Sequence, residues 1–342
     1  MPPFEPRTTE RLLLRPMGPA DAPHLHAWRN DPAVAELQGW ETPYPLENAE
    51  RQLEANARLG GPTDGEWYMI GIDAGGLPVG YLAVQLTWHG RTGEIGYTLA
   101  SDHWGRGYAV EAVDALVEYL FEDLGVTRLG AMLHPDNIAS AQVLERTGFV
   151  FEGHTRLSYW VGDEPSDDHI YGLLRTDWES WRSRPTTTPE NVRLISIDTT
   201  NERQVGRLLT HKSQERYVAP MHASFADALF PEVIDGAPVV PWMRAIEADG
   251  DLVGFVMLAL TTEHHPEPYL WRLLIDRRHQ RRGIGTLALD QVAAECRTMG
   301  DKTLLTSWVP GRGSPEAFYL ARGFEPTGQI VEGEIEGRLA LS

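Results

Sequence analysis

Gln280-Arg-Arg-Gly-Ile-Gly285 is the stretch on which the fold turns. It follows an apolar run, Tyr269-Leu-Trp-Arg-Leu-Leu-Ile275, that reads as a strand. It opens a segment in which Leu289, Val292, Ala293 and Cys296 recur at helical spacing. A strand, a tight glycine turn and a helix therefore meet here. The small residues let the backbone turn without a Cβ in the way. The first turn of a helix leaves several N–H groups without carbonyl partners, and the helix dipole adds partial positive charge. Such a junction suits an anion, and a pyrophosphate is its natural occupant. Arg281 and Arg282 are expected to add positive charge at the rim.

The same arrangement recurs upstream. Trp104-Gly-Arg-Gly-Tyr-Ala109, with Arg106 as its cation, precedes a helix in which Ala109, Val113, Leu116, Val117, Leu120 and Phe121 share a face. Two further pairs of segments match. Tyr68-Met-Ile-Gly-Ile-Asp-Ala-Gly-Gly-Leu-Pro-Val-Gly-Tyr81 faces Trp242-Met-Arg-Ala-Ile-Glu-Ala-Asp-Gly-Asp-Leu-Val-Gly-Phe255, and each reads as a β-hairpin. Gly148-Phe149 faces Gly323-Phe324. All three pairs keep nearly one spacing, about 175 residues, so the chain reads as two copies of one unit.

Each copy has the same order. An opening strand (Arg11 to Arg15, or Val192 to Ile197) precedes polar helical segments and the hairpin. A strand follows (Gly93 to Ala100, or Tyr269 to Ile275), then the glycine turn and its helix. A further strand (Arg128 to His134, or Lys302 to Trp308) leads to a short helix ending at Gly-Phe. The fold class is α/β, a mixed sheet with helices on its faces. Ser183-Arg-Pro-Thr-Thr-Thr-Pro-Glu190 suits an extended linker. The expected divisions are 1–182, a linker at 183–191, and 192–342.

Bulk properties narrow the function. The 342 residues suffice for two domains, and 42% are hydrophobic, enough for packed cores. A single cysteine, Cys296, excludes a disulfide framework and suits a reducing cytoplasm. The N-terminus, MPPFEPRTTERLLLRP, lacks the apolar run of a signal peptide, and nothing approaches the ~20 apolar residues of a membrane span. A net charge of -19 argues against nucleic-acid binding and favours capture of a cation. The 12 histidines show no metal-ligand spacing, and no metal is expected. No G-x-x-x-x-G-K-[ST] loop is present. Gly283-Ile-Gly-Thr-Leu-Ala288 fits a loose dinucleotide fingerprint, but a charged run separates it from its strand and no ribose-binding acid follows.

At these residues the sequence resembles the Gcn5-related N-acetyltransferase superfamily, whose signature is [QR]-x-x-G-x-[GA] between the fourth strand and third helix. Gln280 to Gly285 fits it in full, and Trp104 to Ala109 departs only in its tryptophan. The tryptophan form, with Glu10-Arg-Leu-Leu-Leu-Arg-Pro16, Gly93-Glu-Ile-Gly-Tyr97, Asn137-Ile-Ala-Ser140 and Glu145-Arg-Thr-Gly-Phe149, resembles the ribosomal-protein N-acetyltransferase branch. The second half resembles small-amine and polyamine acetyltransferases. The resemblance implies two tandem units, each with a mostly antiparallel sheet splayed around acetyl-CoA, one or two per chain. It places the cofactor on Leu99, Trp104, Gly105, Arg106, Gly107, Tyr108, Ala109 and Asn137 in the first unit. In the second it places it on Leu274, Ile275, Gln280, Arg281, Arg282, Gly283, Ile284 and Gly285. A backbone N–H of the fourth strand would hold the thioester carbonyl.

The resemblance also implies catalytic roles. A tyrosine four residues before Gly-Phe protonates the departing thiolate, and here it is Tyr319. A phenol, with a pKa of about 10, is neutral and able to donate at pH 7. The first unit has Leu144 there, and its branch assigns the role to a serine, here Ser140. The strand after its Gly-Phe, Leu157-Ser-Tyr-Trp160, lacks the branch's acidic base, and Glu94 is the substitute candidate. In the second unit Glu247, Glu332, Glu334 and Glu336 are candidates to line an acidic amine pocket. The expected activity is acetyl transfer from acetyl-CoA to a primary amine of a small molecule: a polyamine, an amino sugar or antibiotic, or a biosynthetic intermediate. The second unit is the favoured catalyst. The alternatives are a mycothiol-synthase-like tandem enzyme, a non-catalytic acyl-CoA sensor or scaffold, and a first unit acting on a protein N-terminus. The chain is expected to be a monomer or homodimer.

Overall fold

The computed structural model describes residues 2–341 except 235 and 312. The chain divides after Ser183. In the first unit a short β1 (Arg7–Thr8) turns into β2 (Leu12–Pro16). Three helices follow: α1 (Ala22–Asn30), α2 (Pro32–Ala35) and α3 (Leu46–Leu59). The hairpin is β3 (Trp67–Ala74) and β4 (Leu77–Thr87), followed by β5 (Thr92–Leu99), α4 (Tyr108–Glu118) and β6 (Arg128–Leu133). Helix α5 (Ile138–Arg146) leads to a long hairpin, β7 (Val150–Val161) and β8 (Glu164–Leu174), and α6 (Arg175–Arg182). The strand order is β1-β2-β3-β4-β5-β6-β8-β7.

The second unit begins with β9 (Val192–Ile195), α7 (Glu202–Val205) and α8 (Met221–Leu229). A small hairpin, β10 (Val233–Ile234) and β11 (Ala237–Pro238), precedes the main one, β12 (Pro241–Ala248) and β13 (Asp251–Ala259). Then come β14 (Tyr269–Ile275), α9 (Ile284–Met299), β15 (Thr303–Trp308), α10 (Glu316–Ala321), β16 (Glu325–Val331) and β17 (Glu334–Ala340). The sheet runs β9-β12-β13-β14-β15-β17-β16. Both sheets are mixed and mostly antiparallel, with helices on both faces, which is the expected architecture.

The alternation of side chains along each strand sends alternate residues to opposite layers. In the first unit Leu82, Val84, Leu86, Ile95 and Leu99 join Val113, Leu116 and Leu144 in one core under α4 and α5. Met69 and Tyr81 instead meet Leu25, Trp28 and Leu53 under α1 and α3. The second unit repeats this division. Val256, Leu258 and Leu270 pack with Ile284, Leu289 and Val292. Phe255, Met257 and Leu274 pack with Val205, Leu208 and Met221.

Backbone detail repeats as well. Both hairpins carry a bulge at the equivalent place, Ile72/Asp73 and Ile246/Glu247. Gly75-Gly76 and Asp249-Gly250 close them, all four with positive φ. At Gly80 an added Cβ would lie 2.2 Å from the Thr98 carbonyl oxygen, and at Gly254 2.5 Å from that of Leu274. Only glycine permits so close an approach of the third and fourth main strands.

Candidate active site

In each sheet one pair of parallel strands parts. β5 pairs with β6 only over Thr92–Arg128, Gly93–Leu129 and Glu94–Gly130, leaving the rest of β5 free of it. β14 pairs with β15 only through Tyr269–Leu305 and Leu270–Thr306. The strand end beyond the parting runs into the glycine turn, so the cleft and the helix N-terminus are continuous.

The two turns adopt one geometry from different residues. Gly107 and Gly283 are the N-caps of α4 and α9, with φ of 79° and 78°, and no side chain caps either helix. Their first-turn N–H groups, Tyr108 to Val110 and Ile284 to Thr286, have no carbonyl one turn earlier and are free for an anion. Two residues before each cap the backbone is again left-handed, at Gly105 (φ 75°) and at Arg281 (φ 64°). Gln280 Nε2 donates to the Ile275 carbonyl at 3.0 Å. Trp104 Nε1 donates to the equivalent Leu99 carbonyl at 2.9 Å. The indole thus replaces the amide in the one bond that folds the turn back onto its strand.

The cations differ from the sequence expectation. Arg282 is not at the rim. It is 6% exposed, and its guanidinium donates to the Thr187 carbonyl and to His279 Nδ1. That bond requires an unprotonated Nδ1, and burial lowers the His279 pKa in the same sense. Arg281 is exposed, and Arg106 donates to the Asp102 carbonyl beside its own turn. Sequence reasoning missed Arg11, which precedes β2. It bonds Glu111 of α4 and the Arg106 carbonyl, and its guanidinium lies 5.0 Å from the Tyr108 ring centre.

A cavity of about 1200 Å³ occupies the cleft of the second unit. Leu274, Ile275, Gln280, Arg281, Gly283, Ile284 and Gly285 line one end. Tyr319, from α10, and Thr306, from β15, enter from the α9 face. The Tyr319 ring stacks on Trp308 at 5.7 Å and meets Phe324 edge-on. Burial pushes its phenol up to about 12, against the hydrogen bond to Thr306. Tyr269, Ser307 and Glu334 enter from the opposite face. Ser307 Oγ donates to Glu334, and Ser307 is close enough to the Tyr269 hydroxyl to work against the rise in its pKa. Burial, then Glu336, Glu334 and Glu332, raises the Tyr269 pKa. Tyr269 reaches this face because β14 bulges at Trp271/Arg272, opposite Met257/Leu258, which reverses the alternation. That inversion was not legible in the sequence.

The other carboxylates separate. Glu332 lines the cavity, and Glu336 accepts from Thr327. Glu247 does not belong to the site. It is ion-paired to Arg193 on the strand edge and absent from the cavity lining.

In the first unit β5 is regular, so Glu94 shares a face with Tyr81 and Gln85. Burial and the Asp168 charge raise its pKa. Asp168, 4% exposed on β8 and bonded to Ser158, is a carboxylate the sequence reading did not name, and it lies on the strand after the one searched. On the other face Ser140 lies in the first turn of α5, whose N-cap is Asn137. The Asn137 side chain accepts from the Ser140 N–H. Ser140 Oγ is 2.7 Å from the Tyr97 hydroxyl, which also bonds the Ser140 carbonyl. Burial raises the Tyr97 pKa. Tyr97, quoted above only as part of a motif, therefore brings a phenol to the cleft from the strand, where Tyr319 comes from a helix. Among the described residues no cluster of three His, Cys, Asp or Glu side chains could hold a metal. No helix of the described residues is long and apolar enough to cross a membrane.

Parted strands beside an uncapped helix N-terminus suit an acyl-CoA-dependent transferase. The sequence matches the acetyltransferase (GNAT) domain family over residues 11–150 and the acetyltransferase (GNAT) family over residues 207–324. It is 31% identical over 170 residues to the uncharacterized N-acetyltransferase YoaA of Bacillus subtilis (strain 168), spanning 49% of this chain and 95% of that protein. It is 32% identical over 84 residues to the ribosomal-protein-serine acetyltransferase of Escherichia coli (strain K12), or 25% of this chain and 47% of that one. A solved acetyltransferase (GNAT family) from Bacillus anthracis covers 50% of this chain and 98% of its own, with 25% identity and a TM-score of 0.44. The chain belongs to the GNAT family and is an N-acetyltransferase that uses acetyl-CoA.

Proposed function

We propose that the second unit is the catalyst and that its acceptor is a small cationic amine. The observation that carries this reading is the meeting of Tyr319 and the Tyr269–Ser307–Glu334 chain in one cavity beside the 280–285 turn. Acetyl-CoA supplies the acetyl group, which the amine attacks. Glu332 and Glu334 favour a cation at the cavity's acceptor end. Through Ser307 and Tyr269, Glu334 receives a proton as the ammonium becomes a nucleophile. Tyr319 gives its proton to the departing thiolate. With its phenol raised to about 12, it keeps that proton throughout the neutral range and loses it only as pH rises towards that value.

The test is Tyr319→Phe, with thiol release measured across a panel of primary amines including spermidine, amino sugars and amino-acid amides. Activity with one class, falling about 100-fold or more in the variant while acetyl-CoA binding persists, supports the reading. Unchanged turnover removes Tyr319 from the mechanism. A second reading, in which the first unit acetylates a protein N-terminus, is favoured by Glu94, Asp168 and the Tyr97–Ser140 pair, together with the ribosomal-protein acetyltransferases its half resembles. Acetylation of N-terminal peptides that survives Tyr319→Phe would support it.

A further inference from the structure

Gln280 makes more bonds than folding its turn requires. Its Nε2 donates to Ile275 and also to Gln214 Oε1 at 2.8 Å, while its Oε1 accepts from Gln214 Nε2 at 3.0 Å. The two amides are locked head to tail. Gln214 Oε1 takes a further bond from the His211 N–H at 3.1 Å, which fixes the orientation of the pair. Gln214 ends the short turn Lys212–Gln214, on the stretch that leads into α8. The start of this stretch is tied to the same turn. The Leu209 N–H donates to Asp276, and the Arg277 N–H donates to the Leu209 carbonyl at 2.7 Å. The stretch then forms one wall of the cavity through Gln214, Tyr217, Val218 and Asp227. Among the described residues Trp104 makes no equivalent tie. An indole has one N–H and no acceptor, and that N–H is used on Leu99.

We propose that Gln214 is a positioning residue, acting through Gln280 to couple the pyrophosphate turn to the acceptor-side wall at 209–227. Acetyl-CoA binding at 280–285 then orders that wall, and by reciprocity the wall strengthens cofactor binding. The first unit has no such dependence through Trp104. This inference rests on acetyl-CoA use alone, and neither on the acceptor nor on Tyr319.

The experiment is hydrogen exchange on the full chain titrated with acetyl-CoA, following residues 280–290 for occupancy of the second site and 209–218 for the wall. In the unaltered protein, exchange at 209–218 slows as 280–290 fills. Gln214→Ala weakens binding at 280–290 about 3- to 10-fold and removes the protection of 209–218. Gln280→Ala added to it removes no further protection of 209–218, because the two amides act as one device there, and weakens cofactor binding further only through the lost Ile275 bond. Gln214→Glu, which keeps the acceptor and loses the donor, falls between. Unchanged exchange at 209–218 in the unaltered protein overturns the coupling, and this arm needs no variant to fold. Protection of 209–218 that survives Gln214→Ala and is lost only when Gln280→Ala is added overturns it equally.

Discussion

The two units bring the same groups to the same kind of cleft by different routes. In the first, a phenol reaches the helix-side face from strand β5, as Tyr97, and meets Ser140. In the second it comes from α10, as Tyr319, and meets Thr306. Carboxylates on the opposite face are Glu94 and Asp168 in one unit and Glu334, joined to Ser307 and Tyr269, in the other. The glycine turn before the helix is closed by an indole in one and an amide in the other. The backbone is shared and the side chains that equip it are not. One of these differences follows from a bulge in β14, which exchanges the faces of the residues before it and brings Tyr269 to the carboxylate face.

The comparison breaks most visibly at the phenols. Tyr319→Phe lowers amine-dependent thiol release about 100-fold or more, whereas Tyr97→Phe leaves it nearly unchanged if the second unit is the catalyst. A fall in Tyr97→Phe of the same size would make the units equal. Next in size is the close strand approach. Gly80→Ala sets a Cβ against the Thr98 carbonyl, which lies 2.2 Å from that position, so a loss of about 2–3 kcal/mol is expected in the first unit's stability. Hydrogen exchange across 67–99 measures it, and 242–275 is the internal control. A smaller effect belongs to the turns. Trp104→Phe removes the indole N–H that folds the first turn onto Leu99, and acetyl-CoA binding at 105–110 weakens about 3- to 10-fold. Trp104→Gln restores it, if amide and indole are equivalent. The smallest concerns pH. The neutral His279 ring is favoured in the folded state, so its contribution is present above the ordinary histidine range and is lost as pH falls through it. Melting of the second unit between pH 7 and 5 should therefore show an acid-side loss that His279→Gln reduces.

Much of this was legible in the sequence. The repeat, the α/β architecture and the two turns follow from glycine spacing and hydrophobic periodicity, which report backbone geometry directly. The strand readings fall within a residue or two of β5, β14 and β15, because apolar alternation ends where the turn residues begin. Side-chain destinations were less legible. Arg282 read as a rim charge because arginines usually are, and only the packing of 187 against the turn shows it turned inward. Asp168 and Tyr97 were hidden for a related reason. Each meets a partner residue that is remote in sequence, so no local motif announces the pairing with Glu94 or Ser140. The bulge of β14 has no glycine or proline to mark it.

The central claim is that both turns, Gly105–Ala109 and Arg281–Gly285, are working cofactor sites built on one backbone geometry. Calorimetric titration of the full chain with acetyl-CoA tests it most directly. A stoichiometry near two per chain is the predicted result, falling to about one when Gly283→Val obstructs the left-handed cap of α9. A stoichiometry near one in the unaltered protein would contradict the account.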